Sequence, residues 1–370
     1  MGDIVRVTMP SWGLSMASGK IVEWLVAEGD EIGEGDDLVE IDTDKIAGVL
    51  EAAQPGILRR VVAHVGEDVP VGVCIALIAD GDVPETDLDE QARIARQELE
   101  AGAIIDGTER ETGEITIDGR AIAYTTYGAR GPDIVLVHGF AGEKTSWLFV
   151  QQALSTGHVV HAIDLPGHGE SDKDVGDGSL DVLARTVLGY LAERGIHRAH
   201  LVGHSLGGAV VAEAALREPE RVASLTLLAP AGVGPAINAG HLRGLVSAAT
   251  PRELAPYLAR LFADPTMATP QLADDVMRFK STDGVEASLR TLTGTLLDGD
   301  RPRFDLVDQL AGLRIPVTVV WGRKDEVLPA ANVDVLPSTM RALLVDDAGH
   351  MLHLEQPSAV VASITSVTGR

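Results

Sequence analysis

The stretch AHLVGHSLGGAVVAEAAL, residues 199–216, decides how the larger part of the chain is read. It opens with a short apolar run around Leu201-Val202 and continues as an alanine-rich helix former from Leu206 to Leu216. Between them Gly203-His204-Ser205-Leu206-Gly207 fits G-x-S-x-G, and Gly208 extends the run of small residues. Small flanking residues let the chain turn sharply from strand to helix and lift a serine hydroxyl above a sheet. The pentapeptide alone also describes an ordinary N-cap serine. A strand before it and a helix after it make Ser205 the candidate nucleophile.

Working outward, the chain from Gly113 onward alternates apolar runs with helical patterns. A strand ITIDGRAIAYTTYG is followed by DIVLVHG, a helix over 145–154, VVHAIDL, a helix over 180–193, and then the quoted stretch. SLTLLAP, PVTVVWG and ALLVDDAGH continue the strands, with helices near Ala330–Leu336 and from Gln356. Alternation of this kind predicts a mostly parallel sheet with helices on both faces. The helical residues from about 231 to 308 interrupt the alternation and read as a lid over the carboxyl edge of the sheet.

A serine hydroxyl needs a base, and the base needs an acid to hold its tautomer. Asp325, in WGRKDEVLP, and His350, ending ALLVDDAGH, follow strands in the required order and project from the same sheet edge as Ser205. His353 is the rival base, read as a packed or surface residue; Asp346 and Asp347 are the rival acids, read as strand ends. Charge developing on oxygen needs donors, and the backbone N–H groups of Leu206 and Phe140, the latter in His138-Gly139-Phe140-Ala141, are the candidates. His138 reads as a loop-fixing residue, and Asp164 and His168 in DLPGHGES as members of a structural turn. HGF, DLPGHGES, GHSLGG, GRKD and GH at 349–350 resemble the landmarks of the α/β-hydrolase family over 114–370.

The first eighty residues have another character: short β runs cut by glycines, with no helical stripe. Gly19, Gly29, Ile32, Gly35 and Ile41 recur 37 positions later as Gly56, Gly66, Val69, Gly72 and Ile78. Two similar halves imply a quasi-twofold all-β sandwich over 1–79, with turns at Gly29-Asp30 and Gly66-Glu67 and with Trp24, Leu25, Val61 and Val62 between the sheets. Lys45, in LVEIDTDKIAGVLEA, falls at a polar turn between strand-like runs near the middle of the repeat. MPSWGLSM, GDEIGEGD and GEDVPVG, with Asp-Thr-Asp-Lys at 42–45, resemble the lipoyl domain family. That resemblance implies covalent lipoate on Lys45; Asp44 and Ile46 replace the methionines that usually flank a biotin site.

Residues 80–113 carry eight acids against two arginines up to Glu100 and read as an acidic flexible linker; the alternative for its LDEQARIARQELE segment is a solvated or partner-binding helix, whose apolar content, Leu88, Ile94, Leu99 and alanines, is thin. A coil of about 35 residues would span roughly 30–35 Å. Thirty Lys and Arg against 55 Asp and Glu give a net charge of −25, which repels nucleic acid and anionic membrane surfaces. The one cysteine, Cys74, can form neither an internal disulfide nor a thiolate metal site, and no metal is expected. No apolar run reaches signal-peptide or membrane-span length, and a cytoplasmic location is expected.

A lipoyl domain joined to an α/β-hydrolase domain resembles the E2 component of acetoin dehydrogenase complexes. The resemblance implies acetyl transfer from lipoyl-Lys45 to CoA, a thiamine-diphosphate E1 and a dihydrolipoamide dehydrogenase E3 as partners, and a homo-oligomer. It departs from ordinary 2-oxoacid dehydrogenase E2 chains, which carry His-x-x-x-Asp-Gly; here His64 precedes Asp68 by four but Val69 follows, inside the β module. Two other readings stand beside it: a lipoyl-thioester, ester or C–C bond serine hydrolase fused to a carrier, and a non-catalytic scaffold for E1.

Overall fold

The computed structural model describes residues 4–10, 18–42, 47–79, 81, 83–105 and 110–369, and the chain divides into two units between Thr108 and Glu109.

The first unit contains β1 (Ile4–Thr8), β2 (Ser18–Trp24), β3 (Glu31–Ile32), β4 (Asp37–Asp42), β5 (Ala47–Glu51), β6 (Gly56–Val61), β7 (Asp68–Pro70) and β8 (Cys74–Ala79). They form two antiparallel sheets ordered β1-β8-β6-β3 and β5-β4-β2-β7. Strands one repeat apart hold matching places: β2 with β6, β3 with β7, β4 with β8. Ile21, Ile32, Leu38, Ile41, Leu58, Val69 and Ile75 are buried, and Gly29 and Gly66 turn at φ 99° and 89°, a region costly to residues with a Cβ. The four expected core positions differ: Trp24 and Val61 are only half-buried. Leu25 is 45% exposed, and Val62 packs with Cys74, Leu77 and Ala95 rather than between the sheets.

Ala95 belongs to α1 (Glu85–Ile105), which corrects the reading of 80–113 as flexible linker. This helix lays Leu88, Ala95 and Leu99 onto the outer side of the sandwich, where Ala79 and Val83 meet Leu88. Arg96 grips Glu67 with two bonds of 2.8 Å, and Arg60 reaches Asp89. All six residues of β8 are consequently buried, which is why CIALIA lacks strand alternation.

In the second unit the expected single strand over 115–128 is a hairpin, β9 (Arg110–Ile117) and β10 (Arg120–Tyr127), paired antiparallel. Asp118 and Gly119 both have positive φ, 49° and 78°, as a two-residue Asp-Gly turn requires. Then come β11 (Asp133–Val137), α2 (Leu148–Leu154), β12 (Val159–Ile163), α3 (Leu180–Glu193), β13 (Ala199–His204), α4 (Leu206–Arg217) and β14 (Val222–Leu228). The lid contributes α5 (Ala239–Ser247), α6 (Pro251–Ala259), α7 (Pro270–Lys280), α8 (Val285–Leu296) and the small ribbon β15 (Leu297–Asp298) with β16 (Arg301–Pro302). α9 (Val307–Ala311), β17 (Val317–Gly322), β18 (Arg341–Val345), α10 (Leu352–Glu355) and α11 (Pro357–Thr368) complete the unit.

The eight strands are ordered β18-β17-β14-β13-β11-β12-β10-β9, and the six from β18 to β12 run parallel. The chain steps from β11 to β12 on one side, then crosses back to β13 on the other. A crevice opens beyond the carboxyl ends of strands at such a reversal. His138 follows β11 and Ser205 follows β13, so the candidate residues stand at that crevice.

Candidate active site

Ser205 links β13 to α4 with φ 52° and ψ −116°, a conformation an L-residue adopts only under constraint. Its side chain caps no helix N–H, which removes the N-cap alternative. The glycines beside it are set by close approach. A Cβ on Gly203 would lie 2.3 Å from the Gly207 carbonyl oxygen, and one on Gly207 would lie 2.3 Å from those of Val137 and His138. The strand-to-helix turn thus forms only if both lack side chains.

Asp325 and His350 meet directly. The Nδ1 of His350 is 2.8 Å from Oδ2 of Asp325, while Oδ1 of Asp325 accepts the N–H groups of Val327 and Leu328, each at 2.8 Å. A carboxylate so held accepts from Nδ1–H, which leaves the Nε2 lone pair available as a base. Ser205 is joined to this pair through its neighbour: His204 Nε2 donates to the His350 carbonyl oxygen at 2.9 Å, and the two rings are 4.7 Å apart. Asp346 and Asp347 face Arg323 and Lys324 instead, as strand-end residues do. His353 is buried between Trp147 and His204, with ring centroids 4.6 Å from each, and burial pushes its pKa down to about 3.

The two candidate oxyanion donors lie on adjoining loops. Leu206 opens α4, whose first N–H groups have no acceptor within the helix. Phe140 follows Gly139, where a Cβ would sit 3.0 Å from the Ser205 Cβ, so the two loops are in contact. Leu165 N–H donates to His138 Nε2 at 3.0 Å and Ala141 N–H to His168 Nε2 at 3.1 Å. Buried Asp164 accepts from the Lys144 backbone N–H at 2.6 Å and from Lys144 Nζ at 2.9 Å. Burial opposes the charge on Asp164, yet its cationic and N–H partners hold the carboxyl below its usual range. DLPGHGES is therefore the anchor that fixes the Phe140 loop. The lid covers this loop, with Phe140 and Ala141 packed against Val246, Val285 and Leu289.

Sequence reasoning missed part of this surround. Leu261 in the lid accepts the N–H groups of His350 and Met351, and Glu355 accepts those of Ala263 and Gly349. Except for the bond between Gly349 and Glu355, these contacts join segments about 90 positions apart, beyond any local pattern. In the lid, Arg243 pairs with Asp300 and Arg260 lies 4.0 Å from Glu326, while Arg252 is exposed. Among the described residues no cluster of His, Cys, Asp and Glu could hold a metal ion, and no helix is long and apolar enough to cross a membrane.

Lys45 lies outside the described residues. The strands on either side are described: β4 and β5 pair until Asp42 faces Ala47, over buried Leu38, Val39 and Ile41.

Fold and site define an α/β-hydrolase-type protein with an added β-sandwich of the lipoyl type. Residues 132–357 match the alpha/beta hydrolase fold family, and residues 5–78 match the biotin-requiring enzyme family with its lipoyl and biotin domains. The chain is 42% identical over 362 residues to the dihydrolipoyllysine-residue acetyltransferase component of the acetoin cleaving system of Pseudomonas putida, covering 97% of each chain. It is 37% identical to the component of the same name from Cupriavidus necator, over 95% of this chain and 94% of that one. Among solved structures, carboxylesterase CesB from Bacillus subtilis superposes with a TM-score of 0.62 at 21% identity, over 73% of this chain and 97% of that one, a likeness of fold alone. The chain belongs to the family of dihydrolipoyllysine-residue acetyltransferase components of acetoin cleaving systems.

Proposed function

We propose that this chain transfers acetyl groups to CoA within an acetoin-cleaving multienzyme complex, and that Ser205, His350 and Asp325 perform the transfer. The reading is supported by a strained serine at the switch point of the sheet and by a histidine, bonded through its carbonyl oxygen to the serine's neighbour His204, whose Nδ1 is held 2.8 Å from a carboxylate that accepts two backbone N–H groups. The match to the acetyltransferase relatives runs along 95–97% of the chain and so includes both units.

Lipoate in amide linkage to Lys45 Nζ would supply the thiol on which acetyl arrives. At the larger unit the substrate is then an acetyl thioester. His350 Nε2 takes the Ser205 hydroxyl proton as Oγ bonds to the acetyl carbon. The Leu206 and Phe140 N–H groups receive the charge that builds on the carbonyl oxygen. Cleavage of the C–S bond releases a thiolate, which takes the proton from His350 and leaves acetyl on Ser205. The CoA thiol repeats the sequence in reverse: its proton goes to His350, its sulfur takes the acetyl, and Ser205 regains its hydrogen. Asp325 keeps the imidazole in one tautomer and offsets the charge it gains.

The partners that fit this chemistry are a thiamine-diphosphate E1 that cleaves acetoin and a dihydrolipoamide dehydrogenase E3. Labelled acetyl on the intact chain tests the proposal. Loss of label that requires CoA and disappears in Ser205→Ala supports transfer through the serine, and Lys45→Arg prevents loading altogether. Loss of label without CoA makes water the acceptor, and unchanged transfer in Ser205→Ala removes the triad from the reaction.

A further inference from the structure

The loop that carries His350 has few bonds to its own surroundings in sequence. Gly349 N–H donates to Glu355 Oε2 at 2.8 Å; the His350 and Met351 N–H groups donate to the Leu261 carbonyl oxygen at 2.9 and 3.0 Å. The His350 carbonyl oxygen accepts from His204. Three of these four bonds depend on the lid or on Glu355.

Glu355 closes the arrangement. It ends α10, one turn beyond His350, and while Oε2 takes the Gly349 N–H, Oε1 takes the Ala263 N–H at 2.6 Å. One carboxylate thus joins the loop of the base to the lid segment at the end of α6. The two backbones touch, since a Cβ on Gly349 would come within 2.6 Å of the Ala263 nitrogen and 2.7 Å of the Phe262 carbonyl carbon. No water layer separates them.

We propose that Glu355 is a positioning residue that fastens lid segment 261–263 to the loop bearing His350, so that the imidazole is aimed only while this part of the lid is docked. The proposal rests on the reading of His350 as the base. It makes 261–263 a fixed wall of the site and leaves any opening of the lid to its other segments. Glutamine is the discriminating substitution, because it preserves the shape but turns an NH₂ toward one of two N–H donors.

Hydrogen exchange followed by mass spectrometry on the full lipoylated chain reads the fastening, and acetyl transfer to CoA reads its consequence. In Glu355→Gln, exchange at 261–263 and 349–351 is expected to accelerate together, with kcat down roughly 10- to 100-fold and KM within about twofold. Glu355→Asp, one methylene too short to bridge both donors, should not restore kcat. If Glu355→Gln does not accumulate as folded protein, Gly349→Ala, which drives the two backbones apart, carries the same expectations. Unchanged exchange, acceleration in one segment only, or faster exchange with wild-type kcat would each overturn the proposal. Ser205→Ala separates the two readings. If it transfers acetyl at the wild-type rate the triad reading fails, while the exchange data still judge the fastening.

Discussion

Ser205 occupies a backbone conformation that costs about 1–3 kcal/mol and persists because its surroundings leave no alternative. The closest of those surroundings is Gly207, pressed against the carbonyl groups that end β11. Gly207→Ala would set a methyl 2.3 Å from two backbone oxygens, which cannot rotate away as side chains can. We expect the larger unit to lose about 1–3 kcal/mol, a fall of roughly 2–12 °C in its melting temperature by calorimetry, with transfer activity falling as the Phe140 loop is displaced. An unchanged melting temperature would show that the close approach is not needed. At this scale Ser205, Asp325 and His350 could be picked out because each lies in the loop or turn that follows a recognisable strand. Leu261 and Glu355 were not, because Leu261 acts through its backbone carbonyl oxygen and the Glu355 carboxylate joins Gly349 to Ala263, 92 positions away, a pairing that no local pattern marks.

At the scale of elements, α1 shows how alanine misleads. Leu88, Ala92, Ala95 and Leu99 follow helical spacing, but two of the four are small and the charge around them is high. Small residues let the helix axis approach the sandwich closely, so little apolar surface suffices to seat it. Leu88 is fully buried against Ala79 and Val83, and Leu88→Ala should destabilise this contact by about 2–5 kcal/mol. Limited proteolysis would then cut within 85–105 well before wild type, and equal cutting rates would contradict the docking. The half-exposed Arg96–Glu67 pair should contribute less, about 1 kcal/mol at most. The β9–β10 hairpin was missed differently: Asp118-Gly119 is a strong turn signal, but it sat inside an apparently continuous apolar alternation. The reach estimated for a 35-residue coil also fails, since 21 of those residues form a helix.

For the whole molecule, the concentration of buried histidines sets the response to acid. Burial pushes His168 and His353 down to about 3 and His241 to about 4; neighbouring positive charge adds to each. An unfolded chain binds these protons near pH 6.5, whereas the folded chain refuses them until far lower pH. Stability from these groups is therefore complete above about pH 6.5 and is lost as pH falls below it, by about 1.4 kcal/mol per pH unit for each histidine. Glu143 and Glu355, pushed up by burial, work in the opposite direction at and above the usual carboxyl range and temper the slope there. Urea midpoints between pH 7 and 5 should fall, and His353→Phe should reduce the slope by about one proton; a flat profile would contradict neutral histidines in the core. The two-unit architecture was legible because the switch from short glycine-cut strands to alternating strands and helices is a change of period. How the units cooperate carries no such periodic signal.

The seat that α1 provides also decides where the amino-terminal module can be cut for grafting onto other scaffolds. Excision after Ala79 would strip the cover from Leu77 and Cys74 and leave a greasy, oxidisable strip along β8, a template for clumping. Excision after Ile105 keeps that strip sealed, so the portable unit is the sandwich together with its buttress.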